Sequence, residues 1–239
     1  LSMNLTNGVA GQFSLGQAGF MAVGAYVVGV FTVPVELRPN VFYAEPMNPM
    51  IADIQLPLWL ALLFGGLLAA LIAFLIGWPV LRLRGDYLAI ATLGFSEIIR
   101  ILITNAQSWT NGALGIKDIP ALNDVRYIFV ATAITFLFVT CLINSSYGRA
   151  FKAIREDEIA AEAMGVGLFK HKCMAFMLSA FFAGIGGGLY ATLLGTVDPK
   201  NFLFTLTYNF LLIIVLGGMG SITGSMLGSI IVTGGLEYL

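Results

Sequence analysis

An all-α fold, a polytopic transmembrane helical bundle of about eight helices, is what this sequence predicts, and three observations predict it. Hydrophobic residues make up 58% of the 239 residues and charged ones 10%, with a mean hydropathy of +0.90; soluble domains carry roughly 25% charged residues. The apolar residues fall in runs near the roughly 20 that a helix needs to cross hydrocarbon. Lysines and arginines gather in two connectors and are sparse in the others, the asymmetry that orients membrane proteins. The bilayer is therefore the solvent, and 1–239 is expected to be one transmembrane domain with no soluble domain left over. A net charge of −1 with one histidine supplies no basic footprint, which excludes nucleic acid as a partner.

In chain order, residues 1–11 form a partial apolar segment, and spanning runs follow at 12–33, 56–80, 86–104, 126–144, 172–195, 202–217 and 222 onward. The stretch 1–33 is too long for one straight helix at about 1.5 Å per residue. Gly8, Gly11, Ser14 and Gly16 offer places to break, so a discontinuous N-terminal helix is expected there. The 34–57 stretch holds Pro34, Pro39, Pro46, Pro49 and Pro57, too many for a helix interior, and predicts an external loop or short cap. Arg82 and Arg84 sit in one connector; Arg149, Lys152, Arg155, Lys170 and Lys172 sit in another, two spans further on. Those loops share a side, assigned to the cytoplasm. The other side receives 34–57, 105–125 and the turn at 198–200, with only Arg38, Lys117, Arg126 and Lys200. Both chain ends fall inside apolar sequence and look cut. Cys141 and Cys173 lack metal or redox spacing and point to packing. Gly184 and Gly188, and again Gly224 and Gly228, repeat the spacing of close helix packing.

The segment 146–165 is too polar to cross. Ser145 or Ser146 can cap its start and Gly165 can close its end. Phe151, Ile154, Ile159, Ala161 and Met164 give an irregular apolar stripe, and Lys152 and Glu156 are placed for an i,i+4 pair. It is either a helix lying on the membrane surface or a docking helix for a soluble partner.

Two polar constellations fall inside the spans. Asn4, Asn7, Gln12, Ser14, Gly16 and Gln17 cluster at the expected helix break. Irregular polar backbone at membrane depth survives only beside protein or a water-filled cavity, which makes this cluster the candidate translocation path; close helix packing is the competing account of its small residues. Glu97 and Arg100 lie about 17 and 21 Å along the helix from Asp86. A charge at the bilayer centre costs roughly 2.5–3.5 kcal/mol on insertion scales, so the pair should face protein or water, either as a structural ion pair or as part of the path or its gate.

The run 148–165, GRAFKAIREDEIAAEAMG, resembles the cytoplasmic coupling segment of ABC importer permeases in its branched-chain amino acid version. The run 81–100, LRLRGDYLAIATLGFSEIIR, resembles the LivM-type subunit rather than its LivH-type sibling. GQFSLGQAGF at 11–20 and VLGGMGS at 215–221 are similar to motifs of the wider family. The resemblance covers nearly the whole chain, in four motifs in the family's order. It implies a multi-pass permease subunit in a prokaryotic inner membrane. The expected partners are membrane lipid, a homologous LivH-like permease subunit, two cytoplasmic ATPases and an external substrate-binding protein. ATP would be bound by the ATPases, so this chain is expected to need no cofactor of its own, hold no metal and contain no catalytic residue. Consistently, the sequence has no GxxxxGK[ST], HExxH or GxSxG motif. ATPase coupling is expected from Gly148, Arg149, Lys152, Arg155, Glu156, Asp157, Glu158, Ala160, Ala161 and Gly165.

The chain departs from the family twice. The general pattern Glu-Ala-Ala-x-x-x-Gly places its acid where this chain has Ile159, with Glu158 one residue earlier. The segment 110–116, TNGALGI, is poorer in Gly and Pro than its family counterpart. The expected substrate is leucine, isoleucine or valine; urea or another small amide or amino acid is the alternative within the architecture, and an ion-coupled secondary transporter is the alternative outside it.

Overall fold

The computed structural model describes residues 1–43, 45–83, 85–120 and 126–237. The longer helices are α1 (Gln17–Thr32), α2 (Leu58–Val80), α3 (Asp86–Asn105), α4 (Arg126–Asn144), α5 (Ser146–Glu156), α6 (Glu158–Ala163), α7 (Leu168–Leu194), α8 (Phe204–Gly217) and α9 (Ile222–Glu237). The expected break in the first helix is present. Asn4–Val9 is a π-helical turn, and irregular chain with Gly11 at φ +66° precedes α1. Widened turns of this kind recur at functional sites.

Among the described residues four helices, α2, α3, α4 and α7, are long and apolar enough to span a bilayer. Two bent pairs, Gln17–Thr32 with Val35–Val41 (96°) and Phe204–Gly217 with Ile222–Gly235 (120°), raise the total to as many as six. The runs 202–217 and 222 onward, expected as separate spans, are thus halves of one sharply bent element. Gly218 and Gly220, both at φ +88°, turn the chain between them, and α8, at 14 residues, is too short to cross alone.

α1, α2 and α7 form the centre of the bundle because small residues let their backbones meet. A Cβ on Gly24 would overlap the Gly184 carbonyl, and one on Gly187 would overlap that of Met21. Gly224 likewise lies against the Gly217 carbonyl, where α8 and α9 touch. Outside this centre the fold is apolar outward, with Leu67 and Leu75 on α2, Ile90 on α3, Phe129 on α4 and Ile230 on α9 all exposed. That surface would be untenable in water and matches a lipid solvent.

Contacts at both ends group the connectors as the charge pattern requires. At one end the rings of Trp78 and Phe169 stand edge to face at 5.4 Å, joining the end of α2 to the start of α7 and so bringing the connectors that adjoin them to the same side. Arg84, expected on this side, lies outside the described residues. At the other end Trp59 meets Tyr127 at 5.7 Å, Asn111 donates to the Val41 carbonyl at 3.0 Å, and Ile116 bridges Val197. The Pro-rich stretch folds into single turns around buried Arg38, whose guanidinium donates to the carbonyls of Val33, Ile51, Ala52 and Ile54. One arginine thus satisfies backbone that the prolines leave irregular.

Candidate functional site

The polar residues of the broken helix are buried, and they bond to one another and to both ends of the chain. Asn7 and Ser14 close the break. The Asn7 Nδ2 donates to the Ser14 carbonyl at 3.2 Å, and the Ser14 N–H donates back to Asn7 Oδ1 at 3.1 Å. Gln12 donates to the Lys172 carbonyl at 2.9 Å, fixing the break to the second turn of α7. Gly16 packs against the Thr92 backbone of α3, whose hydroxyl accepts from the Leu15 N–H at 2.9 Å.

Asn4 has a different task. Its Oδ1 accepts from the Gly220 N–H at 2.8 Å, while its Nδ2 donates to the Ser221 carbonyl at 2.8 Å and to Ser225 Oγ at 2.7 Å. All three partners belong to the bend between α8 and α9 or its first turn. The two discontinuous elements of the fold therefore meet tip to tip, one near each end of the chain.

Gln17, 1% exposed, opens α1. Its Nε2 donates to Ser179 Oγ at 2.8 Å and Thr6 Oγ1 at 3.3 Å, whereas its Oε1 has no hydrogen-bond partner. Gln17 lines a cavity of about 430 Å³ together with Thr132, Thr135 and Ser225 and the apolar Met21 and Phe182. The hydroxyls of Thr132 and Thr135 already donate to carbonyls of their own helix, and that of Ser225 donates to the Ser221 carbonyl. What these groups still offer is mainly acceptors, set in apolar walls. Such a cavity suits a solute that has an apolar body and spare N–H donors.

Glu97 and Arg100 form the expected ion pair, Arg100 Nε to Glu97 Oε2 at 2.7 Å, with side chains 29% and 25% exposed. Neither lines the cavity of Gln17, so the structure does not bring the two expected parts of the path together within this chain. The pair is complete at this face of α3, and its role is decided by function. Glu97→Gln is expected to leave solute uptake within about twofold of wild type if the pair only stabilises α3; loss of more than about tenfold, more than the removal of a surface pair explains, would place it on the path.

The segment 146–165 differs from its expected form. It is two helices, because the Asp157 side chain caps α6 through the N–H groups of Ile159 and Ala160 at 2.8 and 3.1 Å. Ser145 caps α5 and Gly165, at φ +85°, lies just beyond the end of α6, as expected. The break divides the apolar stripe. Phe151, Ile154 and Ala161 are buried, whereas Ile159 is 74% and Met164 85% exposed. The expected Lys152–Glu156 pair gives way to Glu156 with Arg155 at 3.4 Å, and Glu158 pairs with Lys172 of α7 at 2.5 Å. Gly148 lies against the Ile143 backbone. Arg149 donates to Ser146 Oγ at 2.9 Å and, like Lys152, Ala160 and Asp157, is exposed. Of the residues expected to couple, Gly148 and Ala161 are buried, Glu158 is half-buried, and Arg155 is exposed along its length but turns Nη1 in to the Gly8 carbonyl; the outward set gains Ile159 and Met164. No periodicity argument could have separated them without the cap at Asp157.

A bundle that turns apolar faces outward, and gathers buried amides and hydroxyls where two broken elements meet, is a polytopic helical membrane protein. The family model described as "Branched-chain amino acid transport system / permease component" matches residues 1–235, and the chain belongs to that family, as a multi-pass inner-membrane protein. The high-affinity branched-chain amino acid transport system permease protein LivM of Escherichia coli (strain K12) is 36% identical, over 100% of this chain and 60% of its own length. A probable LivM of Methanocaldococcus jannaschii is 29% identical over 95% of this chain and 73% of its own. The guanosine ABC transporter permease protein NupQ of Bacillus subtilis (strain 168) is 25% identical over 77% and 59%. The chain thus spans about 60% of the length of its Escherichia coli relative. No solved structure matches it.

Proposed function

We propose that the chain is a permease subunit of an ATP-driven importer for leucine, isoleucine and valine, paired with a homologous permease, two cytoplasmic ATPases and an external binding protein. The observation that carries this reading is the cavity beside the broken helix. Its apolar walls accommodate a branched side chain, and Gln17, whose Oε1 is buried without a hydrogen-bond partner, is among its lining residues, so that a small rearrangement would offer that oxygen to an ammonium group. The relatives named for branched-chain amino acids support the same substrate class.

ATP enters through partners. α5 and α6 expose Arg149, Lys152, Glu156, Asp157 and Glu162 together with the apolar Ile159 and Met164, a mixed charged and apolar surface suited to a groove on a soluble ATPase. Ile159 occupies the position where the general importer pattern has an acid, so this contact is apolar. The double substitution Ile159→Asp with Met164→Asp is expected to reduce co-purification of the ATPases more than about tenfold, the scale of losing two buried interface anchors, while the subunit itself reaches the membrane. Unchanged co-purification would remove the patch from the interface.

Uptake of labelled leucine, urea and guanosine, with and without internal ATP, into vesicles holding the chain with its permease and ATPase partners and binding protein tests the whole reading. ATP-dependent leucine uptake is the expected result. ATP-dependent uptake of guanosine alone would move the substrate to that of the Bacillus subtilis relative, and urea alone to a small amide. Uptake that ignores ATP would replace the importer with a secondary transporter.

A further inference from the structure

Arg155 stands apart from the other cations of the charged segment. Its Nη1 donates to the Gly8 carbonyl at 2.7 Å, inside the π-turn of the broken helix, and its Nη2 lies 3.4 Å from Glu156 Oε1. The stem passes so close to Gly11 that a Cβ there would lie 2.7 Å from Arg155 Cγ. On the far side, a Cβ on Gly220 would lie 2.9 Å from the same Nη1 and 3.1 Å from the Gly8 oxygen. One guanidinium therefore sits where the charged segment, the π-turn and the α8–α9 bend converge, opposite the three hydrogen bonds of Asn4.

We infer that Arg155 is a transmission strut: it carries displacement of α5 and α6 to the tips of both discontinuous elements at once. The inference rests on the importer reading above. Three features give the contact mechanical meaning. The carbonyl of Gly8 lies within the π-helical turn and accepts from Arg155, so the contact is made on the backbone of the irregular segment itself. Phe151 is packed in the same apolar cluster as Leu5, Val9 and Ala10, so α5 and the π-turn are in direct contact beside the guanidinium. The glycines at 8, 11 and 220 leave no side chain to cushion the contact, and a shift of the guanidinium reaches backbone directly. Arg155 is a positioning residue: its side chain is not among those lining the Gln17 cavity, and it acts through the tips it holds.

The test uses the full chain with its permease and ATPase partners in lipid vesicles, comparing wild type with Arg155→Gln and Arg155→Lys; lysine keeps the charge and stem but loses the fork, and so preserves assembly. The first readout is hydrogen exchange at Ala10, Gln12 and Gly220, whose amides donate to Leu5, Thr6 and Asn4. Exchange there is expected to rise about tenfold in both variants, with the interior of α7 unchanged. The second readout is leucine transported per ATP hydrolysed, expected to fall about tenfold with hydrolysis within about twofold of wild type. Unchanged exchange at the tips would overturn the strut, and so would uptake and hydrolysis falling in proportion. Wild-type uptake that ignores ATP would overturn the importer reading instead, and exchange at the two tips would still decide whether Arg155 ties them.

Discussion

Gly24→Leu is expected to abolish the folded subunit. A Cβ at this position meets the backbone of Gly184 rather than a side chain that could rotate aside. α1 and α7 would have to separate by more than the width of a methyl group. Gly65 of α2 packs against the Gly24 backbone and Gly184 against Ala69, so all three central helices share the contact and none can yield alone. Overpacking a core that can adjust typically costs about 1–3 kcal/mol; here relief requires losing the packing that replaces the hydrophobic effect between helices in lipid. Gly94→Leu is the matched control, because a Cβ at Gly94 meets nothing within 4 Å. The measurement is the yield and thermal midpoint of detergent-extracted protein. Near-complete loss for Gly24→Leu beside a near-normal Gly94→Leu is the expected pair of results; equal behaviour would mean that α1 and α7 do not cross at these glycines.

The same contact shows which features were legible from the sequence. Long apolar runs fixed α2, α3, α4 and α7 within a few residues, because a helix that must satisfy every backbone group in lipid leaves little choice. The break after Val9 was visible in its glycines and amides, and the grouping of connectors was visible in where the lysines and arginines fall. The bend at 218–220 was not separable from two spans, since glycine spacing looks alike in a packed helix and in a re-entrant turn. Asp157 hid the split of the charged segment: in the sequence it is one more acid among four, and only its bonds to the Ile159 and Ala160 amides make it a cap. The bond of Arg155 to Gly8 and three of the four carbonyl contacts of Arg38 involve partners more than ten residues away, which periodicity does not report. For the site, sequence pattern found the residues and missed the relations among them. Nothing in the run 1–17 indicates that Asn4 bonds a turn more than 200 residues later.

That long-range bond leads to the second large effect. Asn4→Leu is expected to abolish transport while the α1–α2–α7 centre remains folded. Leucine shares the γ-branched outline of asparagine, at a somewhat larger volume, and removes all three bonds to the bend. The Gly220 N–H and the Ser221 carbonyl then lose their Asn4 partner in a part-buried site. An orphaned backbone group costs about 1–3 kcal/mol, and interhelical hydrogen bonds measured within membranes are worth about 0.6 kcal/mol on average. The sum is a few kcal/mol, enough to release the bend from the π-turn and too little to unfold a bundle whose central contacts are untouched. Ser225→Ala separates this account from a general intolerance of substitution. It removes one acceptor, yet Asn4 Nδ2 keeps the Ser221 carbonyl at 2.8 Å and Oδ1 keeps the Gly220 N–H. Uptake by Ser225→Ala is therefore expected to stay within about threefold of wild type, since one neutral hydrogen bond contributes only about 0.5–1.5 kcal/mol. If Ser225→Ala abolishes uptake as fully as Asn4→Leu, the hydroxyl belongs to the solute path in its own right, and the cavity that Gln17 and Ser225 share would outweigh the tip-to-tip junction as the seat of function.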